Sequence, residues 1–186
     1  MLRGVIRPIA TADLPSAVAV LAESIGPGWI TSADLVPAPD RRVVVAEVDG
    51  GVAGVGTVSI RDWESSLPSD PDARAAVLAL AGETPRTVGY LDAAAVAPAA
   101  RGRGLYTAML ADRIGWAVGR RATLLMSVGW TPPDGCRIAG AMWRAGFAEL
   151  ARITGFYAGD RIPAGASCIH CGRPCGCDAI LFARLA

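Results

Sequence analysis

Val96-Ala-Pro-Ala-Ala-Arg-Gly-Arg-Gly-Leu-Tyr-Thr107 is a turn with two glycines set between two regular segments. Before it, residues 87–96 (Thr-Val-Gly-Tyr-Leu-Asp-Ala-Ala-Ala-Val) are apolar and partly β-branched, as a buried strand requires. After it, Tyr106, Leu110, Ile114 and Ala117 recur at helical spacing and predict one core-facing stripe. Gly102 and Gly104 let the backbone turn sharply and let another group come close. Strand, turn and helix in that order leave a helix N-terminus with unpaired N–H groups and the positive end of the helix dipole, flanked by Arg101 and Arg103. Such a place binds phosphate. Glycines that serve only a tight turn are the competing explanation.

Two familiar phosphate loops do not fit. A Walker loop ends in Gly-Lys-Ser/Thr, and a dinucleotide fingerprint has a third glycine and an acidic residue about 20 positions on. Neither is present. With 186 residues the chain suits one domain, residues 1–186, with an adequate core. Hydrophobic residues make up 52% and charged residues 19%, which argues against disorder. A net charge of +1 disfavours a nucleic-acid partner. No run reaches the roughly 18 apolar residues of a membrane span. The N-terminal stretch lacks the apolar core of a signal peptide, so the expected location is cytoplasmic.

Outward from the central turn, residues 4–9 read as a strand and Thr11 stands at an N-cap position. Leu14, Val18, Leu21 and Ile25 form a helical stripe stopped by Gly26-Pro27-Gly28. Residues 42–48 and 52–60 are β-branched runs joined through Asp49-Gly50-Gly51, a hairpin signal, and Gly54 and Gly56 predict a bulge or close packing. Residues 61–86 read as an insertion, helical over 72–81, whose expected role is surface padding; the alternative is that Trp63 and Leu67 cover a pocket mouth. Residues 122–128 predict a strand beside the central one, 135–145 a helix capped by Asp134, and 148–157 and 178–184 two closing strands. The order predicts a mixed α/β fold with about seven strands, parallel and antiparallel.

Cys168-Ile-His-Cys171-Gly-Arg-Pro-Cys175-Gly-Cys177 places four of the five cysteines within ten residues. Four soft ligands this close satisfy tetrahedral zinc, and Gly172 and Gly176 give the loop its turns. His170, the only histidine, is a possible substitute ligand. In a cytoplasmic chain metal is favoured over disulfides, with free thiols or a redox pair as alternatives. A zinc ion held by Cys168, Cys171, Cys175 and Cys177 has no open position and is structural. Cys136 reads as a small helix residue.

Val-x-Pro-x-x-Arg-Gly-x-Gly, continued by Leu105, Tyr106 and Thr107, resembles the acetyl-CoA motif of the GNAT superfamily of N-acetyltransferases. Ile6-Arg-Pro-Ile-Ala-Thr-Ala-Asp-Leu14 is similar to that family's opening strand and helix, and Ala145-Gly-Phe147 to the step after its last helix. The resemblance implies a sheet splayed between its fourth and fifth strands. It places the pantetheine arm of acetyl-CoA on the backbone near Ala94, Ala95 and Val96, and the pyrophosphate on the N–H groups of Arg101, Gly102, Arg103, Gly104, Leu105, Tyr106 and Thr107. It also implies an amine acceptor, small molecule or protein, with the Cys-rich loop overhanging the acceptor pocket, and it leaves a homodimer open.

Three positions depart from the family pattern. Ala99 stands where Gln or Arg is usual, no Asn occurs near Gly135, and Met142 stands where a Tyr commonly protonates the leaving thiolate. An alkylamine, with a pKa of about 10.4, must lose a proton before it attacks a thioester. Asp92 occupies the strand position where the family often carries a Glu base, and is the candidate here. The competing reading of Asp92 is a carboxylate paired with an arginine. Tyr106 and Tyr157 are candidate acids, and Glu47 reads as solvated. Two functions follow: an acetyl-CoA-dependent N-acetyltransferase, or a non-catalytic acyl-CoA-binding or zinc-dependent interaction module on the same fold.

Overall fold

A computed structural model describes residues 4–66, 70–158 and 163–186. Seven strands form one sheet: β1 (Val5–Pro8), β2 (Arg41–Val48), β3 (Gly51–Arg61), β4 (Val88–Val96), β5 (Leu124–Thr131), β6 (Ala148–Ile153) and β7 (Asp178–Leu185), in the order β1-β2-β3-β4-β5-β7-β6. Four α-helices flank it: α1 (Leu14–Ile25), α2 (Pro71–Ala81), α3 (Leu105–Gly119) and α4 (Ala139–Arg144). Only β4 and β5 run parallel; the remaining neighbours are antiparallel. No helix among the described residues is long and apolar enough to cross a membrane.

Both faces of the sheet are covered, which is why β2 reads as the unbroken apolar run Val43-Val-Val-Ala46 instead of an alternating one. Val43 and Val45 face α1 with Leu21, Val55 and Ala95, whereas Val44 and Ala46 face α3 with Leu105 and Met109. The β2–β3 hairpin closes through Asp49 and Gly50 at φ of 52° and 78°, the paired left-handed conformation that matches strand twist. Gly54 and Gly56 provide close packing as expected. A Cβ on Gly54 would stand 3.0 Å from the Met109 methyl, and one on Gly56 3.0 Å from Arg113 Nε.

Several expectations change. The foreseen stripe of α3, Tyr106, Leu110, Ile114 and Ala117, packs in one core cluster, but the buried face is wider than foreseen and includes Leu105, Met109 and the charged Arg113. Thr11 caps nothing: residues 11–13 form a 3-10 turn whose leading N–H, that of Ala10, is taken by the Asp13 carboxylate at 2.7 Å. Glu47 is not a free solvated carboxylate, because Arg7 holds it at 2.7 Å while also gripping Asp13. The 61–86 segment is not padding. Trp63, Ala73 and Val77 are buried against Val88, Leu124, Met126 and Leu181, so α2 completes the core on the α1 side of the sheet. Trp63 therefore covers no pocket, and Leu67 lies outside the described residues. Helix α4 is also shorter than foreseen, with Asp134 paired to Arg137 ahead of it and Cys136 packed in the core before the helix starts.

Arg113 is the largest fully buried side chain. Its Nε donates to Met109 O at 3.2 Å and its Nη1 to Thr57 O at 3.3 Å, while Nη2 has no partner. Burial pushes its pKa down. A charge held this way is desolvated at a cost that an apolar side chain of similar length avoids. Arg113→Met is expected to keep or raise the melting temperature, whereas Arg113→Ala, which leaves a cavity beneath Gly56, is expected to cost about 2–5 kcal/mol in chemical denaturation.

Candidate active-site cleft

The cleft originates where two strands stop pairing. β4 and β5 share a register over only three pairs, Val88 with Leu124, Gly89 with Leu125 and Tyr90 with Met126. Beyond Tyr90, β5 continues along β7 as far as Thr131, and β4 continues along β3 as far as Val96. At the fork the buried Ser127 hydroxyl donates to Leu91 O at 2.9 Å, replacing the next ladder bond with a side chain. On the other edge of β4, Asp92 and Ala93 together oppose the single residue Thr57, a bulge that adds local bend and twist. The gap is a cleft of about 790 Å³.

One wall carries the backbone of Ala94, Ala95 and Val96, followed by Arg101, Gly102, Gly104, Leu105, Tyr106 and Thr107. Gly102 and Gly104 adopt φ of 75° and 76°, which side chains rarely tolerate, and a Cβ at either would meet open space. Gly104 is the N-cap of α3 and no side chain caps the helix. The first-turn amides therefore face the cleft with the positive dipole end, an arrangement suited to an anion. Arg101 Nε donates to Val96 O at 3.2 Å, so this side chain braces the turn. Arg103 is the one predicted member outside the lining; its guanidinium rests on Ala99 O at 3.4 Å.

Asp92 faces the same cleft. Its Oδ2 accepts from Ser59 Oγ at 2.8 Å and its Oδ1 pairs with Arg61, whose Nε also donates to Ser59 Oγ at 2.8 Å. Arg61 lies 4.1 Å above the Tyr90 ring. Both readings of Asp92 thus coexist: the carboxylate lines the cleft and has an arginine partner, while lone pairs remain on each oxygen. Burial pushes its pKa up, and Arg61 and Ser59 pull it back only in part. Tyr90 is pushed up to about 12 by burial and by the Asp92 charge. The Tyr106 hydroxyl points to Met142 Sδ at 3.8 Å, and burial raises its pKa as well. Tyr157 stacks edge-on to Trp29 and Phe156 on the opposite wall.

The four cysteines converge. The Sγ atoms of Cys168, Cys171, Cys175 and Cys177 lie within 4.8 Å of one another, and none is disulfide-bonded. Cys168 and Gly172 exchange backbone hydrogen bonds at 2.9 and 3.2 Å, closing a tight knuckle. The backbone N–H of His170 donates to Cys168 Sγ at 3.3 Å, but the exposed imidazole is not part of the cluster, so His170 replaces no cysteine. Burial acts to raise the Cys171 thiol, yet hydrogen bonds from its neighbours, Cys175 first, bring it down to about 7. Cys175 is pushed up to about 11 by burial.

Sequence reasoning missed Arg61, Ser59 and the buried Arg113; in sequence the tryptophans, Trp29, Trp63 and Trp130 among them, hint at an apolar or aromatic acceptor or equally at packing, and the structure lines the cleft with Trp29 and Trp130 while it buries Trp63 in the core. For Arg113 the signal was present: Gly54 and Gly56 clear one face of β3 for long side chains from α3. For Arg61 the signal requires knowing the β3–β4 register.

The family model described as the acetyltransferase (GNAT) family matches residues 13–147. That match spans well over half the chain, and the protein belongs to this family. No curated protein matches it in sequence. Among solved structures, Arabidopsis thaliana NAA60 in complex with a bisubstrate analogue superposes with a TM-score of 0.67 at 17% identity, covering 98% of this chain and 97% of that one. The ribosomal-protein-S18-alanine N-acetyltransferase from Escherichia coli gives 0.64 at 16%, covering 98% and 93%. A GNAT-family acetyltransferase from Streptococcus pneumoniae gives 0.66 at 15%, covering 99% and 100%. These likenesses establish the fold.

Since Arg61 lowers the Asp92 pKa against the effect of burial, Arg61→Met is expected to move the Asp92 titration upward, so that the carboxyl stays protonated to higher pH. Ser59→Ala should move it the same way, as read by carboxyl NMR titration.

Proposed function

We propose that the chain, as one domain over residues 1–186, transfers an acetyl group from acetyl-CoA to a primary amine by direct attack in a ternary complex. The observation that carries this reading is the cleft itself: strands that part at Tyr90 and lead to the uncapped N-terminus of α3. A neighbour of the same fold, Arabidopsis thaliana NAA60, is known in complex with acetyl-CoA, which supports the reading. In it, the pyrophosphate rests on the amides of residues 101–107, and the pantetheine arm adds its hydrogen bonds to the β4 edge at Ala94–Val96.

The acceptor arrives largely as an ammonium ion. Asp92, directly or through water, takes one proton, and a carboxyl raised by burial is a better base than a free one. The amine nitrogen then attacks the thioester carbon, and backbone donors at the β4 end near Ala95 and Val96 hold the developing oxyanion. The carbon–sulfur bond breaks, giving the amide and a thiolate. Met142 cannot supply a proton, but a thiol with a reference pKa of about 8.5 is a fair leaving group unaided. The attacking nitrogen sheds a second proton as the amide forms; that proton passes through solvent to the thiolate, while the one taken by Asp92 is released to solvent, so an ammonium acceptor yields the amide, the thiol and one free proton.

The same reading assigns the cysteine cluster to a structural zinc ion. Tetrahedral zinc with Zn–S bonds of about 2.3 Å sets its sulfurs about 3.8 Å apart. The Cys171–Cys177 and Cys168–Cys177 pairs already stand at 3.7 and 3.9 Å. Four protein ligands leave no open position, so the ion takes no part in the transfer.

Calorimetry with coenzyme A is expected to show binding that Gly104→Val weakens at least about tenfold, because a β-branched residue at φ of 76° distorts the amide cradle. Asp92→Asn is expected to retain that binding and lose about 10²-fold or more in kcat. Binding without turnover on any amine would favour the acyl-CoA-binding module instead. X-ray fluorescence on the purified protein is expected to show one zinc per chain, lost in Cys171→Ser/Cys175→Ser.

A further inference from the structure

The two walls of the cleft differ in chemistry. The coenzyme wall is backbone and arginine, whereas the opposite wall is built from Trp29, Ile30, Trp130, Phe156 and Tyr157. Asp92 is the only carboxylate among the described lining residues. A polyamine or an aminosugar carries several cations and requires several acidic partners. A peptide main chain requires a row of hydrogen-bonding groups. Neither matches a wall of aromatic rings set edge to face with a single acid at its foot, but an amine carried on an aromatic ring does.

Three of these aromatics have a second face. Trp29, Trp130 and Tyr157 pack on the small buried cluster of Ala166, Cys168, Cys175 and Cys177. Trp29 Nε1 donates to Ser167 O at 3.0 Å, and the Tyr157 N–H donates to Cys177 O at 3.3 Å. The segment leading to Trp29 is laced to the same loop, with Ser167 N donating to Pro27 O at 3.0 Å and Ile169 N to Ile25 O at 3.4 Å. The approach leaves no room for side chains. A Cβ on Gly26 would fall 1.8 Å from Ser167 O, and one on Gly28 2.8 Å from Ala166 Cα. The aromatic wall is therefore fastened to the cysteine knuckle, and the knuckle has little apolar core of its own to hold it. Ordering so many residues carries an entropic cost that metal ligation offsets.

We infer that the metal-bound knuckle is the specificity element of the acceptor site: it fixes Trp29, Trp130 and Tyr157 as a rigid aromatic wall that selects a primary amine borne on an aromatic ring, with the ammonium turned toward Asp92. This inference rests on the acetyltransferase reading above. It makes the metal a determinant of acceptor affinity while leaving the coenzyme wall independent of it, because residues 94–107 share no contact cluster with the knuckle among the described residues.

The test compares kcat/KM for 2-phenylethylamine and n-hexylamine, with zinc content, coenzyme A calorimetry and tryptophan emission measured on the same preparations. The zinc-loaded protein is expected to favour 2-phenylethylamine by at least about tenfold. Trp29→Ala should abolish that preference with zinc content and coenzyme A affinity retained. Cys171→Ser/Cys175→Ser should lose zinc, shift tryptophan emission to the red, raise the KM for 2-phenylethylamine about tenfold or more, and keep coenzyme A affinity. Parity between the two amines in the zinc-loaded protein overturns the inference, and Trp29→Ala decides it even where the cysteine variant fails to fold. A zinc-free protein with unchanged preference and emission overturns it too. Failure to bind coenzyme A, or to turn over any amine, overturns the acetyltransferase reading and this inference with it.

Discussion

The structure depends on one interruption in a hydrogen-bonded ladder. Parallel strands β4 and β5 pair through Tyr90 and then separate, and each keeps its other neighbour, so neither strand loses its place in the sheet. An open edge inside a sheet is ordinarily costly, because main-chain donors and acceptors without partners are desolvated for nothing. Here the edge is tolerable because the cleft opens to solvent, because Ser127 satisfies Leu91 O at the fork, and because a ligand with amide groups of its own can complete the ladder. The bulge at Asp92 and Ala93 serves the same end, bending β4 while its opposite edge stays paired with β3.

In the proposed reading, the two halves of the site that lead from that fork are built by different means. The coenzyme half uses main chain almost alone: an uncapped helix, two glycines in the left-handed region, and a strand edge. Such recognition tolerates wide variation in side chains, which is consistent with neighbours that share the fold at 15–17% identity. The acceptor half uses side chains, and they rest on a loop between β6 and β7 that lies outside the 13–147 family match. In that reading the acceptor wall draws Trp29 and Trp130 from within the family match and Phe156 and Tyr157 from beyond it.

Electrostatics tie the two halves together at Asp92. Its carboxyl sits at the fork, desolvated, with Arg61 and Ser59 limiting how far its pKa rises. A fully paired carboxylate would be too weak a base, and an unpaired buried one would stay protonated. Arg61, above the Tyr90 ring, is not among the residues lining the cleft, so in the proposed mechanism it tempers the rise in the Asp92 pKa from outside the acceptor space.

The sequence alone determined the order of elements, the Asp49-Gly50 hairpin, the glycine turn ahead of α3 and the four-cysteine knuckle, because each is a local property of backbone conformation, periodicity or ligand spacing. It also pointed to Asp92 and to the departures at Ala99 and Met142, because those are single positions in a linear pattern. Tertiary structure alone decided which arginine meets Asp92, that Arg113 lies in the core beneath Gly56, that Trp63 and α2 complete a core, and that Trp29, Trp130 and Tyr157 stand together on the cysteines. Those facts join residues as many as 138 positions apart, as in the bond from Trp29 to Ser167. No local preference encodes such a contact; it exists only once strand register and loop docking have fixed which surfaces meet.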